Sequence, residues 1–285
     1  MTQRMNVGFI GLGNIGKPCA MHLISEAFNA HVFDISEQAC KELEAAGANI
    51  CPSVAELANN CEHIGICVRD DAQVETLLYG DDGIFSNAQA GSRIAIHSTV
   101  THASILRWAN DAQAHQLHLF DAAISGGANG AENATLCYMV GGDEDTINLC
   151  KPVFETSADK IVHAGKIGSG LLLKLCNNLI TYAEFMAMSE ATRLAEAGGL
   201  SIDMLREVGE SNGIINETMH MFISSRNALA ESCSEDEMQE MFGPFGKLSE
   251  KDLDSALGSA AELNVELPST QALRTRVYDM FLNKA

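Results

Sequence analysis

Positive charge is scarce in this chain. Its 285 residues carry 18 Lys and Arg against 38 Asp and Glu, a formal net charge of −20. A surface of that sign repels phosphate backbones and anionic lipid heads, which argues against nucleic-acid and membrane partners. A small anionic substrate needs a local positive site against this field, so each lysine inside an apolar stretch carries weight. Cysteine pairing is missing too: the nine cysteines are an odd count with no C-x-x-C spacing. Most lie in apolar stretches such as IGICV and LKLCN, which reads as reduced, buried thiols in a cytoplasmic chain. Long uninterrupted apolar runs, repeats and low-complexity linkers are also absent. MTQRMNVGFIGLG breaks at its glycines, short of a signal segment, and the leucine-rich stretch at 168–180 is interrupted by Lys174, Asn177 and Asn178.

What is present is a globular composition, 46% apolar and 20% charged. Over roughly the first 160 residues short apolar runs alternate with helical spacing. MNVGFI, HVFDIS, HIGICVR, SRIAIHST, LHLFDAAIS and TLCYMVGG read as strands, with helical patterns between them. That alternation predicts a parallel sheet covered on both faces. From Gly168 to Ala197 a single helical pattern runs without proline and stops at Gly198-Gly199. The remainder reads as further helices, one of them starting near Lys251 and a last one at Pro268. The expected fold is an α/β Rossmann-type dinucleotide-binding domain followed by an all-α domain, joined by a long interdomain helix. The expected domains are residues 1–165 and 166–285.

The first strand runs into Gly11-Leu12-Gly13-Asn14-Ile15-Gly16, the G-x-G-x-x-G pattern. Gly11 allows the tight turn, Gly13 lets a pyrophosphate approach the backbone, and Gly16 lets the helix pack close to the strand. Asp34, at the end of the second strand, can accept from the adenine-ribose hydroxyls and would repel a 2′-phosphate. Ile35, Ser36 and Glu37 follow it with no arginine, so NAD is expected over NADP. A bland reading makes Asp34 a turn or helix-cap residue. Val68 and Arg69, closing the third strand, complete the expected cofactor surface from this half. Ser125, Gly126 and Gly127 combine a hydroxyl with exposed backbone N–H groups, a compact neutral site for a carboxylate, or else a plain glycine turn. Lys174 and Asn178 stand at i and i+4 on one helical face. His115 and His118 lie near Asp121 without a clear third ligand, so no metal is expected.

Taken in order, GLGNIG, HSTV, DAAISGGANGA, GKIGSGLLLKLCNN and KDLDSAL resemble the β-hydroxyacid dehydrogenases over nearly the whole chain. That family includes 3-hydroxyisobutyrate dehydrogenase, tartronate semialdehyde reductase and, more distantly, 6-phosphogluconate dehydrogenase. The resemblance implies that Lys174 is the catalytic lysine, that Asn178 holds the substrate beside it, and that Ser125, Gly126 and Gly127 bind the substrate carboxylate. It places Thr99 near the nicotinamide and Lys251 near the cofactor. It implies a substrate cleft and oligomer contacts in the helical domain, with a homodimer or homotetramer. The implied reaction interconverts a small 3-hydroxy acid and its semialdehyde or keto acid. Val100-Thr101-His102, Ala134 and Ser249-Glu250 depart from the family pattern, which leaves the substrate open while sparing the catalytic pair. Ile214, Phe222 and Phe245 are the expected ceiling of the pocket. Two other readings stand beside this one: an imine reductase-like NADP enzyme, which Lys174 and Asp34 oppose, and a non-enzymatic NAD-binding scaffold.

Overall fold

The computed structural model describes residues 4–284. They divide into two compact units, one reaching to Lys174 and the other starting at Leu175. The first unit holds eight strands: β1 (Met5–Ile10), β2 (Phe28–Phe33), β3 (Asn49–Ile50), β4 (His63–Ile66), β5 (Arg93–Ile96), β6 (His118–Ser125), β7 (Leu136–Gly141) and β8 (Ala158–Gly165). Its helices are α1 (Gly16–His22), α2 (Glu37–Ala46), α3 (Val54–Asn60), α4 (Asp71–Leu78), α5 (Ile84–Asn87), α6 (His102–Ala114), α7 (Gly127–Glu132) and α8 (Glu144–Phe154). Helix α9 (Ser169–Ala197) contains the division between the units. The second unit continues with α10 (Ile202–Ser211), α11 (Glu217–Ser232), α12 (Glu235–Glu262), α13 (Pro268–Arg274) and α14 (Val277–Phe281).

The strands form one sheet in the order β3-β2-β1-β4-β5-β6-β7-β8. From β3 through β6 every pairing is parallel. The run β3-β2-β1-β4-β5-β6 is the doubly wound order whose ligands sit at the carboxyl ends of the strands. The all-parallel expectation fails at one place, because β7 pairs antiparallel to β6 and β8 parallel to β7. The short α7 connection turns the chain back beside β6, where a right-handed crossover would have needed a longer segment.

Local signals explain most elements. β4 is buried at every position and β1 at its last four, as parallel central strands require. Ser36, Ser53, Asp70, Thr101, Asp143, Ser201, Asn216 and Ser234 each cap the helix that follows with a side-chain oxygen. Such caps contribute about 1 kcal/mol each. Helix α12 is longer than its sequence implies, so Lys251 lies in its interior and not at a helix start. Pro244 lies inside this helix, and Gly243 and Gly246 on either side of it face Tyr278. A Cβ on Gly246 would lie 2.7 Å from the Tyr278 ring, so the glycine is there to admit that ring.

The first unit buries Val7, Phe9, Val32, Ala95, Tyr138 and Phe154 in one cluster. Two histidines share this interior: His97 stacks on Phe9 at 5.6 Å, and His63 meets Phe154 edge-on at 5.7 Å. In the second unit Tyr182, Met186, Leu253, Val277, Met280 and Phe281 form the main cluster. Among the described residues no helix is long and apolar enough to cross a membrane.

Candidate active site

The glycine loop has the shape its spacing predicts. Gly11 has φ +92°, and a Cβ there would fall 2.2 Å from the Cys67 carbonyl oxygen. A Cβ on Gly16 would fall 1.9 Å from the Gly11 carbonyl oxygen, so α1 can start this close to β1 only with glycine. Gly13 differs, since its Cβ direction holds no atom within 4 Å. That open backbone is the space a pyrophosphate occupies in such a loop, so the residues present fit a dinucleotide. A groove of about 640 Å³ opens beside it, lined in part by Leu12, Gly13, Asn14, Ser36 and Gln38. Asp34 follows β2 directly. Its Oδ2 accepts from the Leu12 amide at 2.6 Å and its Oδ1 from the Ser36 amide at 2.7 Å. Ser36, not Asp34, caps α2.

Register puts the other expected residues on the same edge of the sheet. Ile10 pairs with Phe33 and Ile66, Ile66 with Ile96, and Ile96 with Asp121. The chain beyond each of these ends therefore emerges on one rim. Gly11 follows β1, Asp34 follows β2, Val68 and Arg69 follow β4, and Thr99 follows β5. Ser125 ends β6 on that rim. The Val68 amide donates to Ser98 Oγ at 2.8 Å, which ties the β4 and β5 exits together. After Ser125 the backbone turns through Gly126 (φ +132°) and Gly127 (φ +65°). A Cβ on Gly126 would press on Leu136 at 2.9 Å, whereas Gly127 faces open space. Both glycines are exposed.

Ala134, which stands where the family pattern has glycine, has φ +57°. A Cβ in the left-handed region is strained by about 1 kcal/mol or more. Ala134→Gly is therefore expected to stabilise the first unit by about 1 kcal/mol, a gain of a few degrees in Tm. Denaturant and thermal melts check this, and an unchanged or lower midpoint contradicts it.

Helix α9 carries Lys174 and Asn178. Leu171 and Leu175 are buried, Lys174 is half-buried and Leu173 is partly exposed. Asn178 is buried, and its Nδ2 donates to Asp252 Oδ2 at 2.8 Å. Tyr182, one turn on, donates its hydroxyl to the same oxygen at 2.9 Å. Burial and the adjacent Asp252 push the Tyr182 phenol well above its ordinary pKa, so it stays a donor. Asp252 Oδ1 is buried without a hydrogen-bond partner among the described residues. Sequence reasoning singled out Lys251 in KDLDSAL and passed over its neighbour Asp252, although the same motif contained it. Asn177 is exposed, and its Nδ2 donates to Asn178 Oδ1 at 3.4 Å.

Other candidates find different places. His115 stacks on Phe85 at 5.3 Å, and the Asp121 carboxylate is taken by backbone amides. Phe222 belongs to an aromatic group, 4.3 Å from Phe185 and 5.3 Å from Phe281. Ile214 and Phe245 are exposed. All nine cysteines are free, and burial raises Cys51 to about 11 and Cys67 and Cys150 to about 12.

A doubly wound sheet with an open glycine loop and an acidic residue after β2 defines a dinucleotide-binding protein. Residues 6–165 match the NAD binding domain of 6-phosphogluconate dehydrogenase. Residues 168–284 match the family described as NAD-binding of NADP-dependent 3-hydroxyisobutyrate dehydrogenase. A probable mitochondrial 3-hydroxyisobutyrate dehydrogenase of Dictyostelium discoideum is 34% identical over 262 residues, covering 92% of this chain and 81% of the relative. The 2-(hydroxymethyl)glutarate dehydrogenase of Eubacterium barkeri is 32% identical over 284 residues, covering 98% and 90%. The solved structure of Mycobacterium tuberculosis 3-hydroxyisobutyrate dehydrogenase with L-serine superposes with a TM-score of 0.82 at 26% identity, covering 98% of this chain and 93% of that one. The chain belongs to the β-hydroxyacid dehydrogenase family, as a dehydrogenase of hydroxy acids dependent on NAD(P).

Proposed function

We propose that this chain interconverts a small 3-hydroxy acid and its semialdehyde or keto acid with NAD, using Lys174 as general acid and base. The observation that carries this reading is the single rim of the sheet. It gathers Gly11 through Gly16, Asp34, Val68, Arg69, Thr99 and the Ser125 turn at the ends of adjacent strands. A dinucleotide held at this rim by the glycine loop and Asp34 would supply the hydride acceptor for oxidation and the hydride donor for reduction. In oxidation Lys174 Nζ receives the hydroxyl proton, and in reduction it returns that proton to the developing alkoxide. Ser125 Oγ and the amides at Gly126 and Gly127 hold the carboxylate, which fixes the distance to the hydroxyl-bearing carbon. Asp252 engages the Asn178 amide nitrogen, and Asn178 Oδ1, which accepts from Asn177 Nδ2 at 3.4 Å, keeps a second lone pair for a substrate hydroxyl one helical turn beyond Lys174. The reading also keeps Lys251, beside Asp252 on α12, as a cofactor lysine.

Asp34 and Glu37 support NAD over NADP, because both carboxylates oppose a 2′-phosphate. Lys17, the nearest lysine in sequence to the glycine loop, pairs with Glu42. The named relatives and the serine complex concern acids with a hydroxymethyl group on the carbon next to a carboxylate. A substrate of that shape fits a short carboxylate-to-hydroxyl span. Residues 1–165 serve the cofactor in this reading, and residues 166–285 form the helical domain. Exposed Leu194, Met204, Val208 and Met221 there favour a homodimer or homotetramer. Free thiols throughout favour the cytoplasm.

The test is a panel of 3-hydroxy acids offered with NAD and with NADP, followed by NADH or NADPH absorbance. Turnover should require both the carboxylate and the 3-hydroxyl, and NAD should be preferred by about 10- to 100-fold in kcat/KM. NADPH-dependent reduction of cyclic imines, or NAD binding without any turnover, would overturn the proposal.

A further inference from the structure

We infer that Asp121 is a positioning residue for Lys174: a buried carboxylate on β6 that fixes the first turn of α9. This rests on the reading of Lys174 as acid and base. Asp121 is only 2% exposed, and both its oxygens are occupied. Oδ1 accepts from the Gly168 amide at 2.6 Å and Oδ2 from the Leu171 amide at 2.7 Å. These are amides that a helix start leaves without an intrahelical partner. An ordinary cap comes from the residue just before the helix. Here it comes from a strand 47 positions away in sequence, so it also ties α9 to the sheet.

The surroundings are shaped for this contact. A Cβ on Gly141 of β7 would sit 2.7 and 2.8 Å from the two carboxylate oxygens. A Cβ on Gly170 would sit 2.9 Å from Oδ2 and 2.2 Å from the Met139 carbonyl oxygen. Two glycines therefore let the helix start lie directly against strand backbone, with the carboxylate enclosed between them. Burial raises the Asp121 pKa, and the amides of Gly168, Leu171 and Gly170 oppose that rise.

The place of Asp121 gives the contact its consequence. It pairs with Ile96, the last residue of β5, at the level where the strands of the cofactor rim end. Lys174 follows Leu171 by three residues, one turn along a continuous helix. Fixing the Leu171 amide therefore fixes where the lysine side chain leaves the helix relative to that rim.

The experiment is a double-mutant cycle with kcat expressed per NADH-binding site. In Asp121→Asn one amide still finds a carbonyl oxygen while the other meets an NH₂ group. Asp121→Asn should lower kcat by about 10- to 100-fold, the scale of a misplacement near 1 Å, with the NADH dissociation constant unchanged. In a Lys174→Met background the same substitution should change the residual rate by less than about threefold, because a residue acting through Lys174 has nothing left to position. An equal loss in both backgrounds, or no loss in the wild-type background, overturns the inference. Near-normal turnover of Lys174→Met alone defeats the reading of Lys174 instead, so the two failures are distinguishable. Should Asp121→Asn not fold, amide exchange of the wild-type enzyme decides. Gly168 and Leu171 should exchange as slowly as the core of β6, and exchange as fast as an exposed helix start overturns the assignment.

Discussion

Lys174→Met is expected to fold, to bind NADH as the wild type does, and to lose turnover by roughly 100- to 10,000-fold, the range for removing a positioned acid or base. Methionine keeps the aliphatic length of the side chain, so the packing of half-buried position 174 changes little. Lys174→Arg separates two roles that this loss alone would merge. Arginine keeps the positive charge and stays protonated, so it can stabilise an alkoxide yet cannot accept the hydroxyl proton. Oxidation by Lys174→Arg should therefore be as slow as by Lys174→Met. Steady-state rates with a fluorescence titration of NADH measure both variants, and turnover within a fewfold of wild type in Lys174→Met would show that another group moves the proton.

Stability should fall steeply between pH 6.5 and pH 4. Burial lowers the pKa of His63 to about 3 and that of His97 to about 4. Both rings are neutral in the folded state: His97 Nδ1 meets the Ala122 carbonyl oxygen at 2.8 Å, and His63 Nδ1 is buried without a partner among the described residues. The unfolded chain binds these protons near pH 6.5, and the folded chain does so only near the lowered values. Their contribution is thus complete above pH 6.5 and is lost as the pH falls toward 4, by roughly 2 to 5 kcal/mol for the pair. Urea unfolding at pH 7 and pH 4.5 measures the loss. His63→Leu should flatten the dependence, because it removes one titration and a buried unpartnered nitrogen together. An unchanged slope in that variant would mean that other groups govern acid unfolding.

Much of this fold was legible in the sequence where burial imposes a period. β1, β4, β5 and β6 are apolar runs ending in turns, and Gly11, Gly13 and Gly16 announce the loop between β1 and α1. β8 was not legible: Asp159, Lys160 and His163 interrupt it, and as the last strand of the order it buries no continuous face. The reversed direction of β7 was hidden as well, since direction is set by the connection and not by the residues of the strand. Helix α1 stops after seven residues with no glycine or proline to mark its end, which displaced the expected start of β2 from Phe28 to His31. In the candidate site, Lys174 and Asn178 stood out because polar residues in an apolar helix demand a reason. Asp121 and Asp252 did not, because their meaning lies in partners distant in sequence.

Helices α13 and α14 have a consequence for synthesis. Val277, Met280 and Phe281 are at most 4% exposed, Arg226 donates to the Met280 carbonyl oxygen, and Tyr278 fills the face left open by Gly246. The second unit therefore lacks the centre of its core until residue 281 has been translated. The sheet of the first unit is complete by Gly165, more than a hundred residues earlier. On the ribosome the Rossmann half can fold while the helices behind it wait with apolar faces uncovered, so the interval before α14 emerges is the one most exposed to misassembly.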